Sequence, residues 1–269
     1  MADIRSLAIR FADLWAVDQH QMADETYARA IHMESMARAG TVVEGIDELH
    51  TLEDELARRI PEHRHELMRV VVDAPRAFLE TTVVGPTTGH YSQAALWWLV
   101  DGDGPDGVGR VVHEVGWFDW EHRLTDSRRS RGTIPRDDGV DRGRVWYEAL
   151  GRRLVGAWNA DPLAAVHEHL PLDATVTWVG FDETNGEIAA TRVAAHIGPA
   201  HDHPEITVID IIGEGAVVAL LCTMARGSRR TRFTAALTLD ESDRIASVRL
   251  YFDWARAVDV TASSPAAPA

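Results

Sequence analysis

The chain has 269 residues with a formal net charge of −15, 45% hydrophobic and 26% charged residues, a single cysteine, and 27 basic residues, all of them arginine. An acidic chain repels phosphate backbones, which argues against nucleic-acid binding, and one cysteine excludes an internal disulfide framework. The absence of lysine excludes Schiff-base catalysis and the anchoring of pyridoxal phosphate.

Apolar residues at Leu7, Ile9, Phe11, Leu14, Trp15 and later Met22 trace a helical stripe, and a second helix is predicted over Ile46 to Ile60, stopped by Pro61. Strands are predicted at Glu66 to Val72, Ala77 to Val84, Gln93 to Val100 and Val111 to Trp120, separated by turn-forming Asp, Gly and Pro. A polar, arginine-rich stretch at 123–144 reads as a linker. Beyond it the order repeats: helices at Trp146 to Trp158 and Asp161 to His169, a strand at Ala174 to Val179, and a helical segment at Glu187 to Ile197. Strands are predicted at Glu205 to Ile212, Ala216 to Ala225, Thr231 to Leu239 and Arg244 to Trp254, and residues 261–269 read as a disordered tail. Cys222 falls in the apolar run Ala216 to Met224, where a buried, inert thiol is expected.

The repetition extends to particular residues. Val115-Gly116-Trp117-Phe118-Asp119-Trp120 returns half a chain later as Arg249-Leu250-Tyr251-Phe252-Asp253-Trp254. Upstream, Pro61-Glu62-His63-Arg64-His65-Glu66 is matched by Pro199 to Glu205, and Leu14-Trp15-Ala16 by Ala157-Trp158-Asn159. Two copies of one α+β domain are expected, at 1–122 and 145–260, because helices precede a run of strands in each and the period is far longer than that of a solenoid.

Several of these segments resemble a known family. Trp158-Asn159-Ala160-Asp161, Asp173-Ala174-Thr175-Val176, Pro61 to Leu67, and Asp243-Arg244-Ile245 with Tyr251-Phe252-Asp253 are similar to the SnoaL-like polyketide cyclases of the nuclear transport factor two-like superfamily. That superfamily also contains ketosteroid isomerase and limonene epoxide hydrolase. The resemblance implies, in each half, a cone of curved antiparallel sheet closed by helices around an apolar pocket. It also implies a sheet-to-sheet dimer, which two copies in one chain would build covalently. The residues that carry catalysis in the two named enzymes are missing at the matched positions: the isomerase base falls at Trp178 and at Ser35, and the hydrolase Arg-x-Asp falls at Leu221-Cys222-Thr223 and Leu79-Glu80-Thr81.

Alternation supplies other candidates. In the last strand of the second half Ala246, Val248, Leu250 and Phe252 share an apolar face that points into the cone; the equivalent face of the first half is Val112, Glu114, Gly116, Phe118 and Trp120. A carboxylate and a glycine thus stand where Val248 and Leu250 stand, opening volume beside an ionisable group that burial would push toward neutrality. Glu114 is the expected acid–base residue, His65 its proton partner, and Asp119 a lesser candidate that the resemblance keeps in play. Ser35, Thr81, Trp98, Gly116 and Phe118 are the expected pocket residues.

The His63/His65 and His201/His203 pairs suit zinc or iron by spacing, but no third ligand is identifiable, so no metal is expected. With no Gly-x-Gly-x-x-Gly after a strand and no P-loop, no cofactor is expected. A basic-then-apolar leader and an apolar run of about 18 residues are also lacking, so the expected setting is the cytoplasm, away from membranes. The expected function is cofactor-free acid–base chemistry on a small apolar natural-product intermediate: cyclisation, isomerisation, dehydration or epoxide opening. The alternative is a non-catalytic protein of binding or assembly. If the sheets pair within the chain, a monomer is expected, or a dimer through another surface.

Overall fold

The computed structural model describes residues 4–36, 42–85, 89–100, 109–117, 139–171, 173–179, 182–185, 203–251 and 258–259. The first half comprises α1 (Ile4–Trp15), α2 (Gln19–Thr26), β1 (Tyr27–Ser35), β2 (Val42–Glu44), α3 (Ile46–Arg59), β3 (Arg64–Asp73), β4 (Arg76–Gly85), β5 (Gly89–Val100) and β6 (Arg110–Trp117). The second comprises α4 (Arg144–Ala160), α5 (Pro162–His169), β7 (Thr175–Trp178), β8 (Asp182–Asn185), β9 (Glu205–Glu214), β10 (Val217–Arg226), β11 (Arg229–Leu239), β12 (Ile245–Tyr251) and β13 (Val258–Asp259). The predicted helical segment at Glu187 to Ile197, His201, Asp253 and the tail lie outside the described residues.

Local chemistry accounts for the helices. In α1, Ile4, Leu7, Ala8, Phe11, Ala12 and Trp15 recur at three- and four-residue intervals and are buried, while Ile9, placed in the stripe by the sequence, faces solvent. The Asp18 side chain accepts the Gln21 amide at 2.9 Å and caps α2. Asp47 and Glu48 begin α3 and Arg58 and Arg59 end it, each complementing the helix dipole. Asp161 accepts the amides of Leu163 and Ala164 and so caps α5, with Pro162 in its first turn.

Both sheets have the same topology. The first runs β2-β1-β6-β5-β4-β3 and the second β8-β7-β12-β11-β10-β9, with β13 pairing beside β11. All pairings are antiparallel except β1 with β6 and β7 with β12, which are parallel. The register aligns the halves: Glu114 stands opposite Met33 and Gly116 opposite Ser35, as Val248 stands opposite Val176 and Leu250 opposite Trp178.

Each sheet has two buried faces. The inner face of the first closes on α1, α2 and α3 around Phe11, Tyr27, Ile31, Leu79 and Trp97. The inner face of the second packs on α4 around Tyr147, Leu220, Phe233 and Leu237. The two outer faces cover each other: Phe78, Leu96, Val115 and Trp117 share one cluster with Ile212, Leu221, Ala236 and Tyr251. The chain is therefore an intrachain pseudo-dimer of tandem α+β domains.

Bulges set which side chains face which way. The β3–β4 register shifts between Leu67 and Arg69, leaving Met68 47% exposed and turning Arg69 toward the other sheet. At the matching point of β9 the register shifts around Ile209, 43% exposed, and Asp210 contacts Arg76 of the first half. A third shift on β6 puts Val111 into the first core, so Val112, expected on the inner face, is not the residue that fills it.

Candidate functional site

Glu114 is 2% exposed at the centre of the first cone. Its Oε2 accepts from the Tyr27 hydroxyl at 2.6 Å and from the Trp97 indole N–H at 2.8 Å. Three strands and their register produce this arrangement: Tyr27 opens β1, Trp97 lies directly across β5 from Glu114, and both rings meet Phe11 of α1 edge-on. With both donors on Oε2, the pattern leaves Oε1 without a hydrogen bond among the described residues.

The electrostatics follow from burial. Desolvation lifts the Glu114 carboxyl from its ordinary value to about 7, against the opposing pull of the Tyr27 and Trp97 donors. Burial, then the charge of Glu114, holds the Tyr27 phenol well above its usual value, so it stays a neutral donor. A second carboxyl joins them from α3. Glu53 is buried on the Leu49–Leu56 face of that helix, its Oε2 has no hydrogen-bond partner among the described residues, and burial followed by repulsion from Glu114 and Asp54 raises it well above the carboxylate range.

The cavity beside Glu114 is lined by Phe11, His65, Leu79, Thr81, Gln93 and Trp97 among others. Its volume is about 20 Å³, room for an ordered water molecule rather than an organic ligand. His65 stacks on Trp15 with ring centroids 3.9 Å apart and meets Phe11 edge-on.

Of the residues named from the sequence, Glu114, His65 and Thr81 come together on this cavity. Gly116 is buried on the same face two residues beyond Glu114, opposite Ala95 of the lining and beside Ser35, whose buried Oγ has no hydrogen-bond partner among the described residues. Trp98 is placed elsewhere: it packs on the inter-sheet cluster and stacks on His113 at 4.6 Å. The neighbouring Trp97 is the lining residue, because successive strand residues face opposite ways. Asp119 and Phe118 lie outside the described residues.

Sequence reasoning missed Tyr27, Gln93 and Glu53. For Glu53 a signal was present: it occupies the fourth position after Leu49 in a stripe continued by Leu56, where an apolar residue is expected. His63, weighed as a metal ligand, has both ring nitrogens engaged: Nε2 accepts from Trp15 at 2.6 Å and Nδ1 lies 2.5 Å from the Ile60 carbonyl. In the second cone Val248 and Leu250 pack with Trp158, Val166, Leu170 and Val176, so hydrocarbon stands where the first cone has Glu114 and Gly116.

No family model matches the chain, and no curated protein matches it in sequence. Solved structures to which it is similar include a protein from Jannaschia sp. CCS1 named as a candidate SnoaL-like polyketide cyclase, 16% identical over 42% of this chain and 82% of that one, with a TM-score of 0.35. Another is a hypothetical protein with a ketosteroid isomerase-like fold from Catenulispora acidiphila DSM 44928, in complex with trimethylamine, 13% identical over 48% and 97% of the two chains, TM-score 0.38. A third is a nuclear transport factor two-like protein of unknown function from Burkholderia xenovorans LB400, 15% identical over 43% and 81%, TM-score 0.36. Among the described residues no helix is long and apolar enough to cross a membrane.

Proposed function

We propose that the first half is an acid–base catalyst for a small apolar molecule, with Glu114 as the proton-exchanging group, and that the second half is its non-catalytic partner. The observation that carries this is Glu114 itself: a wholly buried carboxyl held through one oxygen by two neutral donors, its pKa lifted to about 7, on a cavity that also holds His65. A group poised near neutrality can take a proton and return it in one turnover. The cavity's size favours either a reacting water, as in hydration or epoxide opening, or entry of substrate by displacement of the wall around Thr81 and Gln93. This cavity holds its own proton-transfer groups, so the chemistry needs no cofactor there. Isomerisation, cyclisation and dehydration belong to the same class of reaction, and a cytoplasmic role in natural-product metabolism fits it. Because the two sheets cover each other, the expected state is a monomer, or a dimer through another surface, by light scattering.

The test is a panel of small epoxides and unsaturated ketones, with proton exchange followed in deuterated water. Turnover by the native chain that vanishes in Glu114→Gln, with the fold retained, supports the proposal; full activity in that variant removes it. A second reading is a binding or assembly protein in which Glu114 is structural; the small cavity favours its assembly form. Tight binding of an apolar compound with no exchange at any pH would establish that one instead.

A further inference from the structure

Outside the first cone, on the opposite face of the same sheet, three side chains converge. His32 and Glu34 alternate on β1, and His113 lies directly across from His32 in the parallel pairing with β6. Glu34 Oε1 is 3.2 Å from His113 Nε2 and 3.5 Å from His32 Nε2, and the three ligand atoms lie within 4.8 Å of one another. With metal–ligand bonds near 2.0–2.1 Å, the edge of a tetrahedral zinc site is about 3.3 Å, so both distances to the carboxylate are already those of neighbouring ligands.

The surroundings orient this set as outer partners orient a metal site. His32 Nδ1 is 2.8 Å from Glu44 Oε1 on β2, an arrangement that places the proton on Nδ1 and leaves Nε2 as the coordinating atom. Arg232 of the second half takes the other oxygen, Oε2, of Glu34, which fixes the carboxylate and leaves Oε1 toward the histidines. Trp98 stacks on the His113 ring at 4.6 Å and limits its rotation. All three ligands are partly exposed, so an ion can enter from solution.

We propose that His32, Glu34 and His113 bind a divalent transition metal ion, zinc foremost, at the rim between the two halves. Two imidazoles and one carboxylate suit zinc and leave a coordination position for water. This departs from the expectation of no metal, and it uses none of the His-x-His pairs that the sequence singled out. The ligands sit on adjacent strands far apart in the chain, a proximity only the fold creates. The site is separate from the Glu114 cavity, and its existence does not depend on the acid–base reading.

The experiment is calorimetric titration of the chelator-treated native chain with Zn²⁺ alone, followed by Co²⁺ with absorption and tryptophan fluorescence as readouts. One equivalent should bind, and Co²⁺ should give the visible bands of a low-coordinate site and quench Trp98. In His32→Ala, a change at a partly exposed position that circular dichroism can check for folding, the equivalent should be lost. Glu44→Gln should keep the stoichiometry with affinity roughly 10- to 100-fold lower, and Trp98→Phe should bind Co²⁺ with the quench diminished. Absence of stoichiometric binding to the native chain, or equal binding by His32→Ala, overturns the proposal; the second outcome would move the metal to other histidines.

Discussion

Arg249 of the second sheet reaches across the interface and donates from Nε to Glu80 Oε1 of the first at 3.0 Å, with neither side chain more than 1% exposed. Glu80 also receives the Tyr251 hydroxyl and pairs with Arg69, while Arg249 donates to Ser92 at 3.0 Å and Arg69 to Thr238 at 3.0 Å. One carboxylate thus serves two buried guanidinium groups, one from each half. With the ion pairs Arg76–Asp210 and Arg232–Glu34, this network fixes which residues of one sheet meet which residues of the other.

Removing that carboxylate leaves two buried cations without their counter-charge. Breaking a buried pair from one side costs about 3–5 kcal/mol, because the partner charge stays desolvated. Glu80→Gln is expected to lower the denaturation midpoint by a corresponding amount, with the slope of the transition unchanged if both halves still unfold together. A variant as stable as the native chain would mean that water reaches the arginines.

Two glycines should respond in opposite directions to alanine. A Cβ on Gly213 would sit 2.1 Å from the Tyr147 ring, which is held in place by its hydroxyl bond to the Gly215 carbonyl at 2.8 Å. Overpacking of this kind costs about 1–3 kcal/mol or more, so Gly213→Ala should be clearly destabilised in thermal melts. At Gly156, inside α4, a Cβ meets nothing within 4 Å, and the alanine should raise stability by about 0.5–1 kcal/mol through helix propensity. Equal effects at the two positions would contradict the docking of α4 on β9.

Glu114 should impose an unusual pH dependence on folding. Its folded pKa of about 7 lies above the unfolded value of 4.5, so between those values the folded state holds a proton that the unfolded chain has released. Stability therefore falls as pH rises through that window and levels off above it, by about 3 kcal/mol for this group. Glu53 is raised in the same direction, by burial first, and adds a loss of the same sign as pH rises above the ordinary glutamate range. Glu114→Gln should flatten the curve between pH 4.5 and 7 while leaving the Glu53 contribution, as read from urea midpoints across pH. An unchanged slope in the variant would place the Glu114 carboxyl in contact with solvent.

The tandem arrangement was legible because whole segments recur, and the helices because their apolar spacing is regular. The face of Glu114 was legible too, since the pairing with β5 runs without a register shift from His113 to Trp117. What alternation could not carry was the strand Tyr27–Ser35, where a register shift between Tyr27 and His32 breaks the period and Ala, Arg, Met and Glu read as helix formers. Tyr27 was lost with it. Val112 was lost to a bulge in the same way, one extra residue reversing the face on its far side. The His32–Glu34–His113 cluster was out of reach for a different reason: its ligands become neighbours only through a parallel pairing that sequence spacing does not encode.

The donors on Glu114 Oε2 make a last expectation. The Tyr27 hydroxyl and the Trp97 indole both stabilise the ionised carboxylate, and the value of about 7 is what remains after that help has been set against desolvation. Tyr27→Phe deletes one donor at 2.6 Å and keeps the ring that packs on Phe11 and Trp97. With less support for the anion and no added water, the Glu114 pKa should move further above 7, since hydrogen bonds to the charged form are what lower it. Carbon-13 titration of labelled glutamate carboxyls, with Glu114→Gln to assign the resonance, reads this directly. Any pH–rate profile governed by ionised Glu114 should shift upward by the same amount. A midpoint that stays or falls would mean that water replaces the lost hydroxyl, and that the cavity is wetter than its apolar wall allows.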